Sequence, residues 1–394
     1  MEGSRTLGLV VGILVLLGAA TAIVQFLKRR TDTGLDPAIL ETFWRRIRAW
    51  WYFWTVLAAA LLMGQTATVV LFGLISFWAL REFITLTPTR PGDHRTLFWV
   101  FFLWTPLQFI LVGTELYGLY SIVIPVYAFL FVPAGIALSG DSKRFLERSA
   151  KVQAGLLICV YCLSYAPALL TLRLPEAGNP TSLSLGGPPA KEAPAKEKEE
   201  KPEKQEKAGG EKIAPGQPAG EKSEGQKGPA SEGGDKSVAA AARPLRDRSA
   251  NARLLFFFIL LVQLSDALQY AWAQIPSKHV IAPTINPTKT WEGLLGGTAS
   301  ATLLGFAFWW ATPFQHWWMA AGMSAVTSLM AFAGSLTMSA IKRDRGVKDY
   351  GTLVEGHGGV LDRLDSLCFA APVFFHFTMY YLILTGAMDR IQWK

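Results

Sequence analysis

The sequence predicts an all-α polytopic integral membrane protein, with about nine or ten transmembrane helices and a disordered polar insert. Three observations carry this expectation. Apolar runs about as long as a bilayer-spanning helix, which needs roughly 20 residues, recur along the chain. Cations gather at the ends of those runs rather than inside them. Between residues 173 and 250 large apolar side chains nearly vanish, so the 51% hydrophobic content of the 394 residues is concentrated in the remainder. That distribution excludes a soluble globular enzyme. It divides the chain into an N-terminal transmembrane region with an interfacial amphipathic helix (1–172), the insert (173–250) and a C-terminal transmembrane region that holds the candidate chemistry (251–394).

The first expected span is Leu7–Leu27. No small-residue cleavage site follows it, and Lys28, Arg29 and Arg30 come next, the mark of an uncleaved anchor ending in the cytoplasm. Asp36-Pro37 then reads as a helix N-cap and first position. Ile39, Leu40, Phe43, Trp44, Ile47, Trp50 and Trp51 recur at helical spacing, as in an amphipathic helix lying in the interface. The apolar run 51–83 is long for one span, and Gly64-Gln65 interrupts it, so a tight helical hairpin is expected. Charge parity favours the same choice. With two spans here, the loops 84–96 and 139–153, which carry Arg90, Arg95, Lys143, Arg144, Arg148 and Lys151, both fall on the cytoplasmic side. Further spans are expected near 97–112, 116–138, 154–172, 253–273, 293–311, 317–338 and 367–388.

Residues 173–250 are rich in Lys, Glu, Gly, Pro and Ala and have no aromatic residue. They cannot bury enough surface to offset the entropy of ordering. Their 14 Lys and Arg against 13 Asp and Glu leave most of the formal charge of +8 at the ends of apolar segments, so no nucleic-acid partner is expected. Cys159, Cys162 and Cys368 all lie inside apolar runs, where packing is the expected role.

Nearly all the candidate chemistry sits in two loops and the helix ends beside them. Asp266 lies thirteen positions after Arg253, roughly 20 Å along a helix at 1.5 Å per residue. An acid at that depth is costly unless it faces a cavity, a cation or a partner. In the stretch Ile285–Gly297, Thr288 or Thr290 can cap a helix starting near Trp291, which leaves Lys289 just outside a helix N-terminus suited to an anion. The richest stretch is Ser339–Ser366. Five cations (Lys342, Arg343, Arg345, Lys348, Arg363) mix there with five acids (Asp344, Asp349, Glu355, Asp362, Asp365), and Gly356, Gly358 and Gly359 permit a turn that approaches phosphate. Such a mixture suits a metal–polyphosphate substrate.

Ser339-x-x-Lys342-Arg343, Lys348-Asp349, His357-Gly358-Gly359 and Asp362-Arg363-x-Asp365 resemble the C-terminal motif of the phosphatidate cytidylyltransferase (CDP-diacylglycerol synthase) family. Lys278-His279, Pro287, Lys289-Thr290-Trp291-Glu292-Gly293 and Gly296-Gly297 resemble its upstream block, and Asp266 matches the acid that opens it. The resemblance covers about 253–388 well, the N-terminal spans more loosely, and not the insert. Val354-Glu355 replaces a usual Leu-Pro, and Ala273-Gln274 and Pro276-Ser277 stand for Gly-Lys and Phe-Gly. Ser335 stands where the family usually has a metal-binding Asp, four residues before Ser339.

The resemblance implies an enzyme that makes CDP-diacylglycerol and pyrophosphate from CTP and phosphatidate, with Mg²⁺ as cofactor and acids enough for a second cation. It implies Asp362 and Asp266 as metal ligands. Lys289, Lys342, Arg343 and Lys348 would contact phosphates, and His357 with Gly356, Gly358 and Gly359 would shape the turn around the nucleotide. Asp349 and Asp365 would ligate a second cation or orient the bases, Arg363 among them. It places the protein in a bacterial inner membrane, in contact with membrane lipids, with the site facing the cytoplasm. A homodimer, a CTP-dependent polyprenol kinase and an inactive scaffold stay open as alternatives.

Overall fold

The structure, a computed structural model, describes residues 37–86, 89–174, 248–274, 279–351 and 358–385, with scattered helical positions between 12 and 26. Most of the expected first span and of the insert lies outside the described residues. In order, the elements are α1 (Pro37–Met63) and α2 (Gln65–Thr85), then α3 (Pro91–Gly113), α4 (Tyr117–Ala137) and α5 (Phe145–Thr171). After the insert come α6 (Arg248–Trp272), a short antiparallel hairpin of β1 (Val280–Ala282) and β2 (Asn286–Thr290), and then α7 (Trp291–Ala307), α8 (Trp317–Asp344) and α9 (Leu361–Leu384). A helix satisfies its own backbone polar groups, which is what a chain needs where no water can do so.

Among the described residues seven helices, α2 to α6, α8 and α9, are long and apolar enough to cross a bilayer. Two further expected spans take another form. Residues 51–63 are the apolar end of α1, and α7 has 17 residues. The amphipathic helix expected over 37–51 is not a separate element, because no Gly or Pro interrupts the chain between Pro37 and Met63. The break comes at Gly64, whose φ of 110° lies where a Cβ is resisted, and α2 starts at the next residue.

Among the described residues three helices carry π-helical stretches, Val100–Trp104, Val123–Ala128 and Leu156–Cys162. Pro106 and Pro125 account for two of them, since proline lacks an amide and its ring crowds the carbonyl four residues back. The Val100 carbonyl accepts from both the Thr105 amide and, at 2.9 Å, the Thr105 hydroxyl.

Successive helices alternate in direction, so the ends of α2, α4, α6 and α8 and the starts of α3, α5, α7 and α9 share one end of the bundle. There Arg148 of α5 is buried against Asp93, its Nε donating to both carboxylate oxygens at 3.1 and 3.0 Å. Its Nη1 donates to the carbonyls of Asp141 (2.9 Å) and Lys143 (3.0 Å). Arg345, just past α8, reaches Glu147 of α5 at 3.8 Å and so ties the two halves of the chain together. In the C-terminal half, α7 packs between α6 and α8 on a face of small residues, Gly293, Gly297, Ala301 and Gly305. A Cβ on Gly297 would come within 2.3 Å of Gln269 Cγ, so only glycine permits this approach. The three cysteines are free thiols, with Cys159 and Cys368 buried.

Candidate functional site

Asp266, Gln269 and Tyr270 sit at i, i+3 and i+4 on α6 and so line one side of it. With Thr288, Lys289 and Thr290 of β2, Gly293 and Leu294 at the start of α7, and Phe332 of α8, they line a small pocket that opens to solvent. The hairpin that delivers Lys289 is held by local chemistry. Asn286 Oδ1 accepts from the Thr288 amide (3.1 Å) and hydroxyl (2.7 Å), an Asx turn. Thr290 caps α7 by accepting from the Gly293 amide at 3.0 Å, and Glu292 in the first turn pairs with His279 at 2.7 Å. Lys289 therefore stands one residue before a capped helix N-terminus. Its Nζ lies 3.4 Å from Gln269 Oε1 and 5.0 Å from the centre of the Phe332 ring. Gln269 is fixed in turn, since its amide nitrogen donates to Ser265 Oγ at 3.2 Å and to the Ser328 carbonyl at 3.4 Å.

Asp266 Oδ1 is shut off from solvent and has no hydrogen-bond partner. Lys289, Asp365 and Ser366 stand within electrostatic reach of that carboxylate. Asp365 Oδ1 accepts from the Ser366 amide at 2.7 Å, and Lys342 and Lys289 lie within its reach. The approach of α8 to α9 here depends on Gly334, where a Cβ would meet the Asp365 carbonyl oxygen at 2.8 Å.

One turn earlier on α9, Asp362 is the hub of the motif. Its Oδ1 accepts from Lys342 Nζ at 2.8 Å, and its Oδ2 from the amides of Tyr350 and Gly359, both at 2.8 Å. The Tyr350 hydroxyl donates to the Met338 carbonyl at 2.9 Å, and burial keeps its phenol well above the ordinary pKa, a neutral donor. Arg343 Nε donates to the Ile285 carbonyl at 3.1 Å and Asn286 Nδ2 to Ser339 Oγ at 3.2 Å, which fastens the β-hairpin to the end of α8. Ser339 Oγ itself donates to the Ser335 carbonyl at 2.7 Å.

The structure thus brings Asp266, Lys289, Lys342, Asp362 and Asp365 together. Arg343, Lys348 and Asp349 are exposed at the rim. Gly358 (φ 80°) lies against Asp349 and Asp362, where a Cβ would come within 3.3 and 2.8 Å of them. Arg363 lies on α9, its carbonyl accepting from Gln263 Nε2 at 3.3 Å. Gly356 and His357 lie outside the described residues. Three residues at the site went unremarked in the sequence: Glu82, Gln269 and Tyr350. Glu82 carried the signal that singled out Asp266, an acid inside an apolar span. Gln269 shares a helix face with Asp266. Nothing local marked Tyr350.

Mg²⁺ keeps several waters and takes one or two protein carboxylates together with substrate phosphates. The unpartnered oxygen of Asp266, with Asp365 beside it, fits that demand. Among the described residues no group of three or more His, Cys, Asp or Glu forms a closed metal cage. Both Asp362 oxygens are engaged in this arrangement, Oδ1 by Lys342 and Oδ2 by the two amides.

A helical membrane protein that gathers lysines and carboxylates from three helices and a strand at one end of its bundle is built to handle a polyanion there. The chain belongs to the cytidylyltransferase family, whose model matches residues 44–381. It is 29% identical over 368 residues to the Escherichia coli (strain K12) protein YnbB, covering 93% of this chain and 96% of that one. It is also 35% identical over 127 residues to the phosphatidate cytidylyltransferase of Staphylococcus aureus (strain COL). The Haemophilus influenzae phosphatidate cytidylyltransferase is 37% identical over 139 residues. These two matches cover 32% and 33% of this chain and 49% and 46% of the relatives, about half their length.

Proposed function

We propose that this chain is a CTP:phosphatidate cytidylyltransferase that makes CDP-diacylglycerol and pyrophosphate. The observation that carries the proposal is the meeting of Lys289 with Asp266 at one pocket, with Asp365 and the Lys342–Asp362 pair next to them. The pocket is small and lined by Lys289, Thr288, Thr290 and Asp266, so it suits a phosphate end with the rest of the ligand outside.

A phosphatidate oxygen attacks the α-phosphorus of CTP, the bond from that phosphorus to the oxygen bridging the β-phosphate breaks, and pyrophosphate leaves with that oxygen. A phosphate monoester has a second pKa near 6, so the nucleophile is already ionised and no residue need take a proton. The protein's task is placement and charge neutralisation. Lys289, backed by the α7 N-terminus, receives one phosphate. Lys342 is drawn from Asp362 toward another, while Arg343, Lys348 and Arg363 add positive charge around the polyphosphate. Asp349, His357 and the glycines 356, 358 and 359 shape the turn over the nucleotide. Asp266 and Asp365 would hold Mg²⁺, joined by Asp362 once Lys342 leaves it; the ion would neutralise charge on the phosphate oxygens. The site faces the cytoplasm from a bacterial inner membrane, the compartment that holds CTP.

The test is incubation of purified protein with CTP, phosphatidate and Mg²⁺, with polyprenol in a parallel reaction. CDP-diacylglycerol with equimolar pyrophosphate is expected. Its absence, or phosphorylated polyprenol instead, overturns the assignment.

A further inference from the structure

We propose that Glu82, from the N-terminal region, is a positioning residue for the nucleotidyl-transfer site, setting the first turn of α9 and with it Asp362 and Asp365. Glu82 lies at the site end of α2 and is 4% exposed. Its Oε1 accepts from the Val360 amide at 3.0 Å and its Oε2 from the Leu361 amide at 2.8 Å. These are donors that the start of a helix leaves without an internal partner. Val360, the N-cap of α9, contributes no side-chain cap of its own. The cap comes instead from a carboxyl group some 278 residues earlier, placed at the positive end of the helix dipole.

The fit around that carboxylate is close. A Cβ on Gly351 would meet Oε1 at 2.8 Å and a Cβ on Gly359 would meet Oε2 at 2.3 Å. The two acids divide three successive amides between them, Gly359 going to Asp362 and Val360 and Leu361 to Glu82. Phe83, the next residue on α2, stacks on Tyr350 with ring centres 6.3 Å apart, and the Tyr350 amide also goes to Asp362. Helix α2 therefore holds both segments whose amides bond Asp362, through Phe83 on Tyr350 and Glu82 on Val360 and Leu361. If that grip loosens, Asp362 shifts against Lys342 and Asp365 against Asp266, whereas Lys289 on its own hairpin stays in place. The loss should fall on turnover more than on CTP binding.

The kinetic part of this inference rests on the proposed activity; the structural part does not. The experiment compares full-length wild type, Glu82→Gln and Glu82→Asp by hydrogen exchange and by steady-state kinetics. In Glu82→Gln the amides of 358–362 should exchange about tenfold faster or more, with the other helices unchanged, because a charge-assisted pair of bonds becomes a single neutral one. The kcat should fall about tenfold while the KM for CTP stays within about twofold, and Glu82→Asp should recover part of the loss. Unchanged exchange at 358–362 overturns the proposal. So does normal kcat in folded Glu82→Gln, which would make the contact a staple of the fold only. If Glu82→Gln does not fold, Gly351→Ala displaces the same carboxylate and is judged by the same two measurements. If wild type makes no CDP-diacylglycerol, the proposed activity falls by itself, and the exchange result still decides whether Glu82 sets the start of α9.

Discussion

Asp362→Asn keeps the shape of the side chain while removing its charge and one acceptor. The Asn oxygen can still accept from the amides of Tyr350 and Gly359, as Asp362 Oδ2 does at 2.8 Å each. Its Nδ2 then faces Lys342 Nζ, donor against donor, where Oδ1 now accepts at 2.8 Å. The side chains of Lys342 and Asp362 are only 14% and 9% exposed, so solvent screens the pair weakly. Removing one partner of a buried pair costs about 3–5 kcal/mol, and the residual exposure argues for the lower end, ~3 kcal/mol. Asp362 sets the position from which Lys342 turns to a phosphate, so with that cost carried through to the transition state the loss is about a hundredfold in kcat/KM at ~1.36 kcal/mol per decade. The assay is CDP-diacylglycerol formation by folded protein, with Lys342→Met and the double variant completing a cycle. The double variant should cost little more than Lys342→Met alone, giving a coupling of about 2–3 kcal/mol. Additivity to within about 0.5 kcal/mol would refute the view that the pair acts as a unit.

Ser335 lies one helical turn before Ser339, which hydrogen-bonds back to its carbonyl. Ser335→Asp should therefore add a carboxylate to the set and lower the half-saturating Mg²⁺ concentration about tenfold; a rise would show that like-charge repulsion prevails and the set was already complete. Deleting 178–240 should leave specific activity within about twofold, because a segment without aromatics has no surface to bury; a large loss in folded protein would refute this. A cysteine introduced by Lys348→Cys should resist an impermeant reagent added outside intact cells, and one introduced by Gly210→Cys should react. Labelling at 348 from outside would overturn the orientation. Asp141 is held below the ordinary carboxylate range chiefly by the Arg90 hydrogen bond, then by the Lys143 amide. A depressed carboxyl lends stability above its unfolded pKa and loses it as pH falls through the folded value, so exchange protection of 140–144 should persist down to about pH 4. Protection lost near neutrality would contradict that sign.

Much of this molecule was open to a local reading. Burying an apolar run depends on the run itself, so α2 to α6, α8 and α9 could be placed from composition, and Gly64 marked the hairpin because only a glycine accepts that backbone angle readily. The Thr290 cap and the position of Lys289 before it depend on spacing within four residues, and Asp266 stood out as an acid too deep in a span. The expectation of helices throughout missed the β1–β2 hairpin, since runs of three and five residues that are mostly half-exposed have no hydrophobic period to show. The break expected between an interfacial helix and the first hairpin arm is absent, because amphipathicity changes along α1 while its backbone has nothing to stop it. Arg90 and Arg148 read as loop charges on the cytoplasmic side, and the fold spends them instead on Asp93 and Asp141. The engagement of Asp362 by three donors and the capping of α9 by Glu82 came only from the packed structure. An amide at a helix start needs an acceptor, and the sequence around it tells whether a neighbour supplies one. When none does, the acceptor is whatever side chain helix packing delivers, here a carboxylate 278 residues away in the chain, and that choice is made in three dimensions.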